Sequence, residues 1–389
     1  RADGSRFASW SFTIDHALLL AFTALIVLGV VLSLAASPAV AIKKGFATYY
    51  FVERHVFFAL LSGVILLVIS FFTPAGIRRL AAALLAASLA GLGVVAFYGV
   101  EVNGAQRWLE IAGYTVQPSE FAKPAFVVIM SWLFAEAAAR RDMPAAPIAF
   151  ALWFAFAALL VLQPDVGQTA LISATAGMLY VLAGLSLIGA AALLALGGVG
   201  LFLAYQIFPH VRVRMDMFFG PLPSENFQID RAIQSFTEGG WLGRGPGEGT
   251  IKSVLPDAHT DFIFAVVGEE YGVVACLGLV ALFSFIVLRA LFAASSEPEA
   301  DNRLAIQGLA TIFGLQALIN MGVNIGLLPP KGMTLPFISA GGSSMLALAI
   351  TAGMLVALTR RRADPLRLKK PRLVPTMTHV DFEGDVRAR

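Results

Sequence analysis

Cysteine is nearly absent: Cys276 is the single one in 389 residues. Neither a disulfide framework nor a thiolate metal cluster can be built from such a chain, and Cys276, set in an apolar run, reads as a small core residue. Charge is scarce too, at 14% of residues against 58% hydrophobic, and the mean hydropathy reaches +0.78. That balance excludes an ordinary soluble domain and describes a polytopic membrane protein. No whole-chain repeat stands out, which counts against an inverted-repeat transporter. The net charge is only +3, with the basic excess gathered in the tail "TRRRADPLRLKKPRL". Such placement argues against a nucleic-acid groove and for charges arranged by membrane topology.

What the chain has in abundance is apolar sequence. A spanning helix needs roughly 20 mostly apolar residues, and that template predicts ten of them, centred near residues 26, 62, 87, 128, 153, 175, 197, 276, 315 and 350. The first run, from about Ala17 to Ala36, has no small-residue cleavage site followed by a polar mature domain and is expected to be a retained helix. The fifth and sixth are separated only by "LQPDVGQ", where Pro164 and Asp165 interrupt the run. The expected fold is therefore an all-α polytopic membrane protein of about ten transmembrane helices, with a large irregular extracytoplasmic loop between helices 7 and 8. Residues 1–14 form a cytoplasmic N-terminal segment, 15–360 the membrane domain with 209–261 as its large periplasmic loop, and 361–389 a basic, disordered tail able to sit against anionic lipid.

Ten helices place both termini on one side. With Lys123 set apart inside a helix, 17 Lys and Arg residues fall on that side and 10 on the other, so the positive-inside rule predicts cytoplasmic termini. The loops rich in polar residues then face outward: 101–120, 162–168, the long segment 210–260, and 327–344.

The stretch "LPDAHTDFIFAVVGEEYG" places acids in and around an apolar segment. A carboxylate there is costly unless it is hydrated, paired or used. Asp261 stands where the long loop meets the eighth helix; it is either an acid favouring a helix N-terminus or a general base. His259 is a second candidate base, or an orienting group. Glu269 and Glu270 are adjacent and point about 100° apart on a helix, so they are expected not to share one narrow site, with one facing the bundle interior. In "QPSEFAKPAF", Glu120 and Lys123 are spaced for a local ion pair, or for a phosphate ligand and its tuner. Arg107 offers another anion contact or snorkels at the interface. "QPDVGQ" brings Gln163, Asp165 and Gln168 to the same side, or simply turns the chain. "GLLPPKGMTLPFISAGGSS" carries Lys331, Ser343 and Ser344 in a segment that should be irregular. At membrane depth such backbone must be buried in protein or line a hydrated cavity.

Taken in order, "NGAQRW", "QPSEFAKPA", "QPDVGQT", "HTDFIFAVVGEE" and "GLLPPKGMTLPFISAGGSS" resemble the SEDS family of FtsW, RodA and SpoVE proteins across nearly the whole membrane domain, and within it the cell-division branch of alphaproteobacterial type. One departure is visible: Ala340 stands where the family usually has Tyr in ISYGGSS. The resemblance implies a peptidoglycan glycosyltransferase that polymerises lipid II at the outer face of the cytoplasmic membrane during septal wall synthesis. It implies as partners a class B penicillin-binding protein of the FtsI type, other divisome membrane proteins and membrane lipid, with no nucleic acid. It maps the family's catalytic Asp onto Asp261, and further motif residues onto Arg107, Glu120, Lys123, Gln163 and Asp165. His259, Lys331, Ser343 and Ser344 complete the expected substrate-binding set. A polyprenyl pyrophosphate leaving group needs no proton, so one carboxylate base suffices, and Arg107, Lys123 or a divalent cation such as magnesium or manganese would offset its charge. A lipid flippase or transporter and a non-catalytic division scaffold are the competing readings.

Overall fold

The fold was obtained as a computed structural model, which describes residues 5–102, 105–111, 113–140, 142–207, 209, 212, 213, 216, 227–330 and 332–361. Lys331 and the tail beyond residue 361 lie outside the described residues. Backbone N–H and C=O groups in lipid have no water to bind, so apolar runs of this length fold as helices that satisfy them internally. Every predicted centre falls inside one. The helices are α1 (Arg6–Thr13), α2 (His16–Lys43), α3 (Tyr50–Ser70), α4 (Pro74–Tyr98), α5 (Pro118–Ala139), α6 (Ala145–Leu162), α7 (Val166–Leu182), α8 (Leu187–Ile207), α9 (Phe227–Gly239), α10 (Ile263–Ser295), α11 (Ala300–Asn324) and α12 (Gly342–Leu358). Among the described residues eight are long and apolar enough to cross a membrane, and α7 and α12 are shorter apolar helices of 17 residues each. This is a multi-pass membrane protein.

Local chemistry sets where several helices begin. Asp15 caps α2 by accepting the Leu18 amide at 3.2 Å. Thr73 does the same for α4 at the Gly76 amide, with Pro74 in the first turn. Asp165 caps α7.

Helices α5 and α11 form the centre. Their most apolar stretches are 67% and 72% buried, against 28% to 39% for α2, α3, α4, α6 and α10. They are also the least apolar of the eight, because facing protein instead of lipid lets a helix carry polar residues if these find partners. α5 packs against α4 and α11, α11 against α10, and α12 against α3.

Two connections differ from the sequence reading. The segment after α4, expected to be an outward polar loop in an all-α fold, contains a three-stranded antiparallel sheet of β1 (Val100–Val102), β2 (Ala105–Ile111) and β3 (Tyr114–Val116). Gly113, at φ +77°, supplies the left-handed residue of the turn between β2 and β3.

Helix α10 is 33 residues long, yet it is broken at Gly272, where φ is +76° and ψ 179°. The chain following α9 threads the break: the Arg244 and Gly245 amides bond the Glu269 and Glu270 carbonyls, and the Gly240 and Trp241 carbonyls take the Val273 and Val274 amides. A Cβ on Gly272 would stand 2.4 Å from the Trp241 carbonyl oxygen. The short piece before the break, 263–271, carries both Glu269 and Glu270, which are buried. The two carboxylates reach different groups of one loop. Glu269 accepts the amides of Thr250, Ile251 and Lys252, while Glu270 takes the Gly247 amide and the Lys252 ammonium. The loop wraps around the end of the short helix, so side chains pointing in different directions reach different parts of it.

Candidate active site

The loops after α4, α6, α9 and α11 meet on one face of the bundle. Where the loop after α9 meets the segment before α12 stands the turn His259–Asp261, held through its backbone. The His259 carbonyl accepts the Ala340 amide at 2.9 Å, and the Thr260 carbonyl accepts the Ser339 hydroxyl at 2.6 Å. The Asp261 carbonyl accepts the side-chain amides of Asn320 and Asn324, both at 2.9 Å. Three successive carbonyls are thus fixed by the segment before α12 and by the end of α11. A buried turn must have its carbonyls satisfied, and here neighbouring elements do it where no regular ladder exists. Asp261 itself is partly buried, and its Oδ2 would lie 3.7 Å from a Cβ placed on Gly332, so it faces the chain at Gly332, at the start of the 332–341 segment.

His259 packs its ring 4.7 Å from that of Phe51 and is buried, with Nδ1 lacking a partner. Burial, helped by the positive charge of Lys44 and opposed by Asp257, lowers its imidazole to about 4. It is therefore neutral at neutral pH and offers no positive charge to a phosphate.

Glu120 and Lys123 form the buried ion pair that their spacing suggested, at 2.9 Å. Lys123 also donates to Gln316 Oε1 at 3.0 Å, and Gln168 donates to Glu120 Oε1 at 2.8 Å. Glu120 Oε2 and Gln168 Oε1 have no partner. The cavity beside them, lined by Glu120, Lys123, Gln316 and Thr351 among others, measures about 10 Å³, room for about one water. That cavity is too small for a pyrophosphate.

Arg107, on β2, binds the carbonyls of Gln163 and Pro164 at 3.3 and 2.5 Å and lies 3.7 Å from Asp165 Oδ1. Gln163 is buried and donates to the Leu92 carbonyl. Burial pushes the Asp165 carboxyl above its ordinary range, against the pull of Arg107. The arginine thus fastens the sheet to the α6–α7 turn. Ser343 donates to the Thr115 carbonyl at 2.9 Å, fastening the same sheet to α12, while Ser344 shares a 2.7 Å hydrogen bond with Thr334. Among the described residues no three His, Cys, Asp or Glu side chains gather in a way that could hold a metal ion. A magnesium or manganese ion finds no ready cage among them.

The residues missed in the sequence are amides. Gln316, Asn320 and Asn324 recur every four residues on α11, all buried, and so line one helix face. Gln316 joins Lys123 to the Thr334 carbonyl, Asn320 joins the Asp261 and Met333 carbonyls, and Asn324 joins the Asp261 carbonyl to the Ala265 amide. The four-residue spacing of amides in an apolar helix was the available signal.

This architecture has relatives. The profile of a family described as cell cycle protein, covering FtsW, RodA and SpoVE, matches residues 16–364. A protein of Caulobacter vibrioides named "Probable peptidoglycan glycosyltransferase FtsW" is 44% identical over 366 residues, 93% of each chain. One of the same name from Halorhodospira halophila is 36% identical, covering 94% of this chain and 96% of its own. Among solved structures, a chain from "Structural coordination of polymerization and crosslinking by a peptidoglycan synthase complex" superposes with a TM-score of 0.74 at 27% identity, over 89% of this chain and 97% of that one. The rod shape determining protein RodA of Thermus thermophilus gives 0.65 at 26% identity, over 89% and 96%. With a matching profile that spans nearly all of the membrane bundle and the loops that build the site, the chain belongs to the FtsW, RodA and SpoVE family.

Proposed function

We propose that this chain is a peptidoglycan glycosyltransferase that polymerises lipid II, with Asp261 as the general base. The observation that carries the assignment of the base is the turn His259–Asp261, whose three carbonyls are anchored to two other elements while the Asp261 side chain is left partly buried at the loop face. A base must be held within hydrogen-bond reach of the proton it takes. In the reaction, an acceptor sugar hydroxyl attacks the anomeric carbon of the donor. The new C–O bond forms as the bond to the pyrophosphate breaks; the hydroxyl proton goes to Asp261, and the electron pair leaves with the polyprenyl pyrophosphate. The names of the relatives support the reaction class.

The loop face is then the outer face of the cytoplasmic membrane, both termini are cytoplasmic, and the protein works at the division septum. A class B penicillin-binding protein, which crosslinks the glycan, is the partner; the synthase complex among the structural neighbours supports that partnership. Arg107, Glu120, Lys123, Gln163 and Asp165 shape the surroundings of the site, with His259, Ser343 and Ser344 and, in the same segment, Lys331.

The test is polymerisation of purified lipid II by the wild-type chain and by Asp261→Asn, each reconstituted with its penicillin-binding partner carrying a disabled active serine. Glycan strands from the wild type alone support the reading. Normal strands from a folded Asp261→Asn chain reject the base. If neither makes glycan while both move a labelled lipid between leaflets, the protein is a flippase.

A further inference from the structure

The amide face of α11 grips the backbone carbonyl of Asp261, and the way its hydrogen atoms are used is informative. Asn320 has two N–H donors: one goes to the Asp261 carbonyl at 2.9 Å and the other to the Met333 carbonyl at 2.6 Å. Asn324 also divides its two donors, giving one to the Asp261 carbonyl and one to the Asn320 backbone carbonyl at 2.8 Å, while its Oδ1 accepts the Ala265 amide at 3.0 Å. Both side chains are buried, at 1% and 0% exposure.

Asn320 links the residue carrying the carboxylate directly to Met333, next to the Gly332 that the carboxylate faces, beside the bonds that His259 and Thr260 make to Ala340 and Ser339. Asn324 fixes the same carbonyl to the first turn of α10. One peptide unit is thereby located from two directions, and the Asp261 Cα follows it.

We infer that Asn320 and Asn324 are positioning residues for the reaction: they set the distance between the Asp261 carboxylate and the 332–341 backbone, and so the place where the acceptor hydroxyl is deprotonated. The inference rests on the reading of Asp261 as the base. A catalytic group displaced by about 1 Å loses on the order of a hundredfold in rate without weaker substrate binding. A purely structural pair of amides, by contrast, lowers the amount of folded protein and leaves each folded molecule fully active.

The experiment separates these. Asn320→Ser, Asn324→Ala, Asp261→Asn and wild type are reconstituted with the serine-disabled partner, and the lipid II binding stoichiometry of each counts the competent chains. Turnover per competent chain and KM are then measured. Asn320→Ser is expected to lose at least about tenfold in kcat with KM for lipid II within about twofold. Asn324→Ala, which leaves the Asn320 donor in place, should lose less, and Asn320→Gln, which keeps both donors, should recover part of the rate. Wild-type kcat per competent chain in Asn320→Ser and Asn324→Ala, with Asp261→Asn inactive, overturns the positioning role alone. Activity in Asp261→Asn overturns the assignment of the base instead. Should Asn320→Ser bind no lipid II, Asn324→Ala decides: an unchanged kcat there rejects the inference and a reduced one sustains it.

Discussion

Glu269 holds the backbone amide of Thr250 at 2.6 Å, and with the same carboxylate it takes the amides of Ile251 and Lys252 at 2.8 and 3.1 Å. A side chain from the short half of α10 thus does for the loop what a cap does for a helix. Replacing Glu269 with Ala leaves these amides without an acceptor, two of them buried, at about 1–3 kcal/mol for each buried group. Thermal melting in detergent should fall by several degrees. An unchanged melt would mean that water or a rearranged loop supplies the missing acceptors.

The neighbouring pair gives a double-mutant test. Lys252 is bonded to Glu270 and to the carbonyls of Ala35 and Gly247, with both side chains almost wholly buried. Glu270→Gln alone strands a buried ammonium, whereas Glu270→Gln with Lys252→Met removes both charges. The single substitution should be the more destabilising of the two, by about 1 kcal/mol or more. Equal melts for the single and double variants would show that the ammonium is satisfied by the carbonyls.

His259 carries a pH dependence whose sign follows from its burial. Its folded value of about 4 lies below the ordinary 6.5, so between these pH values the unfolded chain binds more protons and stability rises with pH. Above pH 6.5 the histidine contributes no slope. We expect the melting temperature of the wild type to fall between pH 7 and pH 5 by more than that of His259→Phe, which retains the ring contact with Phe51. Parallel curves for the two proteins would assign the slope to other groups.

Arg107 reaches two carbonyls and a carboxylate with one fork. Lysine has the charge but not the geometry. Arg107→Lys should therefore behave more like Arg107→Ala than like wild type, with a loss of about 2 kcal/mol and a matching fall in lipid II polymerisation. Full activity of the lysine variant would reduce the role of Arg107 to its charge.

Gly272 and Gly278 lie on one helix and should respond oppositely to alanine. At Gly272 the backbone is left-handed and a Cβ meets the Trp241 carbonyl, while at Gly278 nothing lies within 4 Å. Gly278→Ala should be neutral or stabilising, by up to about 1 kcal/mol. Gly272→Ala should abolish the folded yield or lower the melt strongly. A normal melt for Gly272→Ala would show that α10 runs straight through this point.

All ten spans were legible because the length of an apolar run is fixed by the thickness of the bilayer, and Asp261 stood out because a carboxylate is costly there. The break at Gly272 was not legible: a glycine in an apolar helix is ordinary, and the approach of the Gly240–Arg244 segment is what makes this one a joint. Arg107 was legible as a cation, but its partners are mainly carbonyls, which any sequence could supply. Gln316, Asn320 and Asn324 were in plain view at a spacing of four, yet uncharged amides raise less suspicion than acids. Ala340 stood out as a departure from the usual Tyr, and the hydrogen bond it makes to His259 uses its backbone, to which the side chain is indifferent.

The joint at Gly272 divides the molecule mechanically. Residues 263–271 make a rod of about 13 Å at 1.5 Å per residue, with Asp261 just beyond one end and the Glu269–Glu270 pair at the other. The far end is gripped by the 244–252 loop, and the near end is pinned to α11 and the segment before α12. The carboxylate is therefore carried by a short lever whose handle is a surface loop, and the 240–245 segment, bonded to both sides of the break, splints the joint between that lever and the remainder of the eighth predicted span.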